Sequence, residues 1–248
     1  VRGPLNIKRS RQGQPVIFQA GASNDGRNFA ARRAEAIFAG AQTLEEAQEY
    51  YRDVKQRAKG FGRDADALSI LPGIGPVIGL TEAEAEAKYR ELSDLGSLQT
   101  GLGFLARAFS DHDFSVYDLD APFPDVEHIG RNSNQSSSYR ILAQVRAENL
   151  TLRQIAQRLS VPRGAFAGTP AQVADELQNW FENEGADGFV LFETLPGQLE
   201  LFVEHVVPIL QARGLYHLDY EGETFRDSLG LPFAVNRYTA KRGAREAA

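Results

Sequence analysis

The chain of 248 residues has no cysteine, no methionine, one tryptophan and four histidines. Without cysteine there is no disulfide, no thiolate metal site and no sulfur nucleophile, and a reducing, cytoplasmic setting is expected. Methionine is missing even from position 1, where Val1 stands, so the chain reads as a fragment, or as a processed or redesigned product. A fragment is favoured, because the opening residues read as the middle of something. Positive charge is short as well: 27 Lys and Arg against 33 Asp and Glu leave a formal charge of -6. A nucleic-acid partner, which asks for a basic face, is therefore not expected. No stretch approaches the roughly 18 apolar residues of a membrane span and no signal peptide opens the sequence, so no membrane is expected either. His112, His128, His205 and His217 show neither HxxxH nor HExxH spacing, and "SDHDFSVYDLDAPFPD" lacks the EF-hand pattern, so no metal is expected.

What is there is a core-forming composition, 42% hydrophobic, arranged as short apolar runs alternating with helical patterns. Val16–Gly21 (VIFQAG) and Ala36–Gly40 (AIFAG) read as buried strands, and Leu68–Gly79 as a third strand region broken by Pro72, Gly73 and Gly75. Asn24 or Asp25 is placed to cap a helix reaching Arg33; Thr43 and Thr81 cap helices from Leu44 and Glu82. From Gly96 to Gly168 the pattern degrades into loop chemistry, including "NSNQSSS", and only Leu142–Leu159 reads as helix. Regularity returns with a helix from Thr169-Pro170, a strand at Gly188–Phe192 and a last helix over Gly197–Arg213. From Tyr216 the chain reads as a tail, frayed at "AKRGAREAA". Strands alternating with helices predict βα units and a parallel sheet, with intervals that match a (β/α)8 barrel. Four strands make half of one.

Three stretches invite a chemical reading. "QAGAS" ends a strand just before a helix, where amides near Ala22, Ser23 and Asn24 meet the positive end of the helix dipole and the Ser23 hydroxyl. Phosphate suits such a place; an ordinary βα turn, with a left-handed glycine and a capping serine, explains the same residues. "GIGPVIG" fails as a dinucleotide loop, since Ile78 stands where the third glycine belongs, and reads as a strand with close backbone approach. "LTLRQIAQRLSVPRGAF" begins like a helix-turn-helix, but glycines and Pro170 interrupt the second helix.

"RGPLNIKRSRQGQPVIFQAGASNDGRNFAARRAEAIFAG", the stretch from Thr43 through "GIGPVIGLTEAEAEAKYREL", and "FAGTPAQVADELQNWFENEGADGFVLF" together resemble the bacterial luciferase-like flavin monooxygenases. The nearest branch is that of nitrilotriacetate monooxygenase component A and the sulfone monooxygenases. The resemblance implies that residues 1–248 are strands five to eight of a (β/α)8 barrel, with residues 96–168 as an insertion after the seventh strand and 216–248 as a C-terminal tail. It implies a monooxygenase that uses FMNH2 and O2, through a flavin C4a-peroxide, on a small organic substrate such as an aminopolycarboxylate, sulfonate or sulfone. An NAD(P)H-dependent flavin reductase would supply FMNH2, and the intact protein would be a homo-oligomer. FMN would be held by Ala22, Ser23 and Asn24 at its phosphate, with Gln19 looking into the barrel near the ring. Catalytic residues would lie in strands one to four, leaving the chain inactive alone. The alternative is a non-catalytic barrel that binds FMN or F420.

Overall fold

The computed structural model describes residues 7–95, 97–130, 135–160, 164–220 and 222–236. It divides into two compact units, one of residues Val1–Gly73, Trp180–Val190 and Gln211–Ala248, the other of Ile74–Asn179 and Leu191–Leu210.

In the first unit, β1 (Phe18–Ala20) leads into α1 (Asn24–Arg33), and β2 (Ala36–Ala39) into α2 (Leu44–Gly60). β3 (Ser69–Ile74) begins here and β6 (Val190–Leu191) starts at its end; the sheet order is β1-β2-β3-β6. β1 pairs parallel to β2, and β2 to β3, as the βα pattern predicts. The sheet has one covered face. Ile37, Ala39 and Ile70 pack with Ala30, Ala31 and Ala34 of the α1 segment and Tyr50, Val54 and Ala58 of α2. Small alanines let α1 approach closely, and burial of this apolar layer is the main favourable term. On the other face Phe18 and Phe38 remain 46% and 37% exposed.

Two charged clamps close the strand N-termini. Asp187 accepts the Ile70 N–H at 2.7 Å and the Tyr51 hydroxyl at 2.8 Å, with the buried Lys55 ammonium 2.9 Å away. Burial, then the Asp187 charge, pushes the Tyr51 hydroxyl well up, so it stays a donor. Arg226 forms a bidentate pair with Glu35 at 2.6 and 2.8 Å, and Glu35 also accepts the Ile17 N–H at 3.0 Å. Arg226 belongs to α11 (Phe225–Ser228), a helix inside the stretch expected to be tail. The residues expected to fray, 240–248, lie outside the described ones.

In the second unit, β4 (Val77–Ile78) pairs parallel with β5 (Ala167–Gly168). Pro72 and Gly73, expected to break the strand, lie inside β3; the interruption is Gly75-Pro76. Gly79 meets a close approach, as a Cβ there would lie 2.1 Å from the Ala85 backbone nitrogen. That nitrogen belongs to α3 (Glu82–Leu95), which opens after Thr81 rather than on a glycine, so the dinucleotide reading has no helix starting where its fingerprint needs one.

The region expected to be irregular folds as helices around its own core. α4 (Leu98–Ala108), α5 (Glu127–Gly130), α6 (Gln135–Glu148) and α7 (Leu152–Ser160) follow one another. Leu105, Phe109, Phe114, Val126, Ile141, Leu142, Leu152 and Ile155 form the buried cluster. The Asp-rich segment contributes Phe114 to it, and His112 bonds the Tyr117 hydroxyl at 2.9 Å. The single helix expected over Leu142–Leu159 is two, split where Asn149 turns left-handed at φ 51° and Thr151 exchanges bonds with Gln154. Residues 131–134 of the expected polar loop lie outside the described ones; Gln135–Ser138 open α6. Residues 164–169 form no helix after α7, so no recognition helix follows it there. α8 (Pro170–Glu182) starts at Pro170 as expected, and α9 (Gln198–Leu201) continues through a π-helical turn, Phe202–Val206, into α10 (Val207–Ala212).

Candidate functional site

In a parallel sheet, ligands gather at the strand C-termini, where helix N-termini point. Here that edge includes the ends of β1 and β2, with Ala20 paired to Phe38. The turn after β1 is short because Ser23, not Asn24 or Asp25, is the N-cap of α1. Its Oγ accepts the Gly26 N–H at 3.1 Å, and its carbonyl takes Arg27 N–H at 2.8 Å. Ser23 therefore caps, as the ordinary reading held. Capping uses the oxygen as acceptor and leaves the hydroxyl proton available to a ligand. Gly21 is not among the left-handed residues, so that part of the ordinary reading is corrected.

The carbonyls of the turn are held from the helix side. Tyr50 OH donates to Gly21 O at 3.2 Å, and Arg27 Nε to Ala22 O at 2.9 Å. The Arg27 guanidinium lies over the Tyr50 ring, 4.8 Å from its centroid, and donates to Asp53 at 2.9 Å. Asp53 also accepts from Arg57 at 2.8 Å, and Arg57 donates to the side-chain oxygens of Asn24 and Asn28 at 2.8 and 2.7 Å. Burial pushes the Asp53 carboxyl up, but the bonds from Arg57 and Arg27 outweigh it and hold the group below its ordinary value. Burial raises the Tyr50 hydroxyl, keeping it a donor. The nearest carbonyls of the turn are thus engaged, and with the Gly26 N–H taken by Ser23 Oγ the first-turn amides of Asn24 and Asp25 are left without an intrahelical partner. That donor set fits an anionic group. Asp25, exposed in the same first turn, opposes one.

Gln19 does not share the open face. Register pairs it with Ile37, and Ile37 with Ile70, on the face that α1 and α2 cover, so the expectation that it looks toward a ring there is corrected. Its Oε1 is buried without a hydrogen-bond partner. Phe18, Ala20, Phe38 and Leu71 take the open face instead by the same register. Ala22, Ser23 and Asn24 do come together at the strand edge. Arg27, Tyr50, Asp53 and Arg57 were not singled out from sequence, although Asp53 and Arg57 stand four apart, the spacing of a helical ion pair. Among the described residues no group of three or more His, Asp or Glu side chains could hold a metal ion, and no helix is long and apolar enough to cross a membrane.

A model of the family "Luciferase-like monooxygenase" matches residues 1–188. The N-acetyl-S-(2-succino)cysteine monooxygenase of Bacillus subtilis (strain 168) is 44% identical over 241 residues, which cover 96% of this chain and 55% of that protein. Nitrilotriacetate monooxygenase component A of Aminobacter aminovorans is 44% identical over 234 residues, 93% of this chain and 51% of that one. The structure of a riboflavin lyase with modified FMN and riboflavin matches at a TM-score of 0.73 and 30% identity, over 92% of this chain and 50% of its own. The chain spans about half the length of the curated relatives it matches. An α/β fold with parallel βα units, the QAGAS turn at a strand edge and these matches lead to one assignment: the chain belongs to the luciferase-like monooxygenase family.

Proposed function

We propose that the chain is part of an FMN-dependent monooxygenase that takes reduced FMN from an NAD(P)H-dependent flavin reductase. It would insert one oxygen atom of O2 into a small organic substrate such as an aminopolycarboxylate, sulfonate or sulfone. Reduced FMN supplies the electrons that activate O2; the protein orients and shields. The turn of Ala22, Ser23 and Asn24 receives the phosphate, with the Ser23 hydroxyl and first-turn amides as donors. The open face bearing Phe18, Ala20 and Phe38 offers apolar surface that excludes water from the isoalloxazine side. Residues 96–168, treated as an insertion, shape substrate choice.

The observation that carries this reading is the turn itself: a serine-capped helix N-terminus at a parallel strand's C-terminal end, its carbonyls tied away by Tyr50 and Arg27. In support, a structurally similar riboflavin lyase was solved with modified FMN, and one relative is named as component A of its monooxygenase. The test incubates the full-length protein with FMN, a flavin reductase, NADH and O2 against amine, sulfonate and sulfone substrates. Oxygenated product that requires both reductase and O2 is expected. Absence of FMN binding, or turnover that proceeds without flavin, overturns the proposal.

A further inference from the structure

We propose that Asp53, with Arg27, Arg57 and Tyr50, is a positioning device for the phosphate turn, setting flavin-phosphate affinity without touching the phosphate. The inference rests on the anion reading of that turn. Asp53 sits at the centre of a fork. One oxygen takes Arg27 and the other takes Arg57, at 2.9 and 2.8 Å. Through Arg27 the fork reaches the Ala22 carbonyl, and through Arg57 the Asn24 side chain. Tyr50, beneath Arg27, takes the Gly21 carbonyl. Three positions of the turn, 21, 22 and 24, are thus gripped from α2 and from Arg27 of α1.

The grip has a direction. A carbonyl that accepts from the helix side cannot at the same time face a bound anion, and a peptide plane fixes the amide on its far side with it. Both arginines spend their charge on Asp53 and on neutral oxygens, so they serve geometry more than field. A preorganised donor set loses less on binding than one that must be ordered.

An ordinary tie between two helices would use the same ion pairs, and the two roles part on ligand chemistry. Riboflavin carries the same ring as FMN without the phosphate. In the full-length protein, Asp53→Asn is expected to raise the FMN Kd about five-fold, the scale of one hydrogen bond, with riboflavin changed less than about two-fold. Asp53→Glu restores part of the preference. Arg27→Lys, which keeps the charge but not the planar fork, lowers it as well and carries the test if Asp53→Asn does not fold. Parallel weakening of both ligands with a lowered melting temperature, or no change in either, overturns the proposal. Ser23→Ala separates the two levels. If it removes the preference for FMN and Asp53→Asn does not, only the positioning device fails. If it leaves the preference intact, or the wild type has none, the anion reading fails and takes the device with it.

Discussion

At Ser23 the side-chain oxygen accepts from Gly26 N–H, so alanine there removes a helix cap and, under the proposed function, a ligand donor as well. Ser23→Ala is expected to weaken FMN by about 1 kcal/mol and to cost about 1 kcal/mol of stability. Ser23→Gly, whose capping cost is only a few tenths of a kcal/mol, should lose the affinity and keep the stability. Fluorescence titration and thermal melting read the two effects separately. Equal FMN affinity in both variants and wild type removes Ser23 from the site. Asp25 works the other way: an exposed carboxylate beside the proposed anion site would repel weakly. Asp25→Asn should tighten FMN about two-fold, an effect that fades in high salt. At this scale the sequence showed Ser23, while the i,i+4 spacing of Asp53 and Arg57 was a signal left unread. It did not show that Arg27, 26 positions from Asp53, completes the fork, because tertiary pairing carries no local signature. Gln19 was misread for a related reason. Facing follows from strand register, and a three-residue strand has too few alternations to declare its register alone.

At the scale of elements, α4 and α7 cross closely, and Gly101 marks the place. A Cβ there would lie 1.9 Å from the Ala156 carbonyl oxygen, whereas at Gly103, two residues on, it would meet nothing within 4 Å. Gly101→Ala forces the helices apart. Overpacking costs about 1–3 kcal/mol, against the roughly 1 kcal/mol that alanine gains in helix propensity. Gly103→Ala keeps only the gain. Chemical denaturation should therefore show the two variants moving in opposite directions; both rising would mean the crossing is looser than described. The helices flanked by strands were legible, because Thr43, Thr81 and Thr169 announce them at the capping position. The helices of residues 96–168 were less so. Asp and Ser dilute the apolar period there, although Phe114 and Val126 are buried. The start of α7 had a signal that went unread: Thr151 and Gln154 stand at capping-box spacing inside what looked like one helix.

At the scale of the whole molecule, the described ends of the chain meet in the first unit. Arg9 donates to the Ala234 carbonyl, Arg11 pairs with Glu223, Phe18 stacks on Phe225 at 6.2 Å, and Arg226 grips Glu35. The tail reading missed this because the partners lie far apart in sequence and no periodicity links them. Hydrogen bonding from Arg226 holds the Glu35 carboxyl below its ordinary value of 4.5 despite burial. A carboxyl depressed on folding contributes stability that is fully present above the unfolded value and is lost as pH falls through the folded one. Glu35→Gln leaves a guanidinium 2% exposed without its counter-charge, at a cost of about 3 kcal/mol. That deficit should be constant from pH 7 to about 4.5 and shrink below, as the wild-type carboxyl takes up its proton. Urea midpoints measured across that range decide it: a deficit that grows on acidification would reverse the sign.

The Glu35–Arg226 pair also sets a clock on biosynthesis. Its partners are separated by 191 positions, so at about 5–20 residues per second a ribosome that has released the glutamate needs roughly 10–40 s more to deliver the arginine. Through that interval the nascent sheet waits with an uncompensated carboxylate at its base, and translation pauses downstream would lengthen the wait.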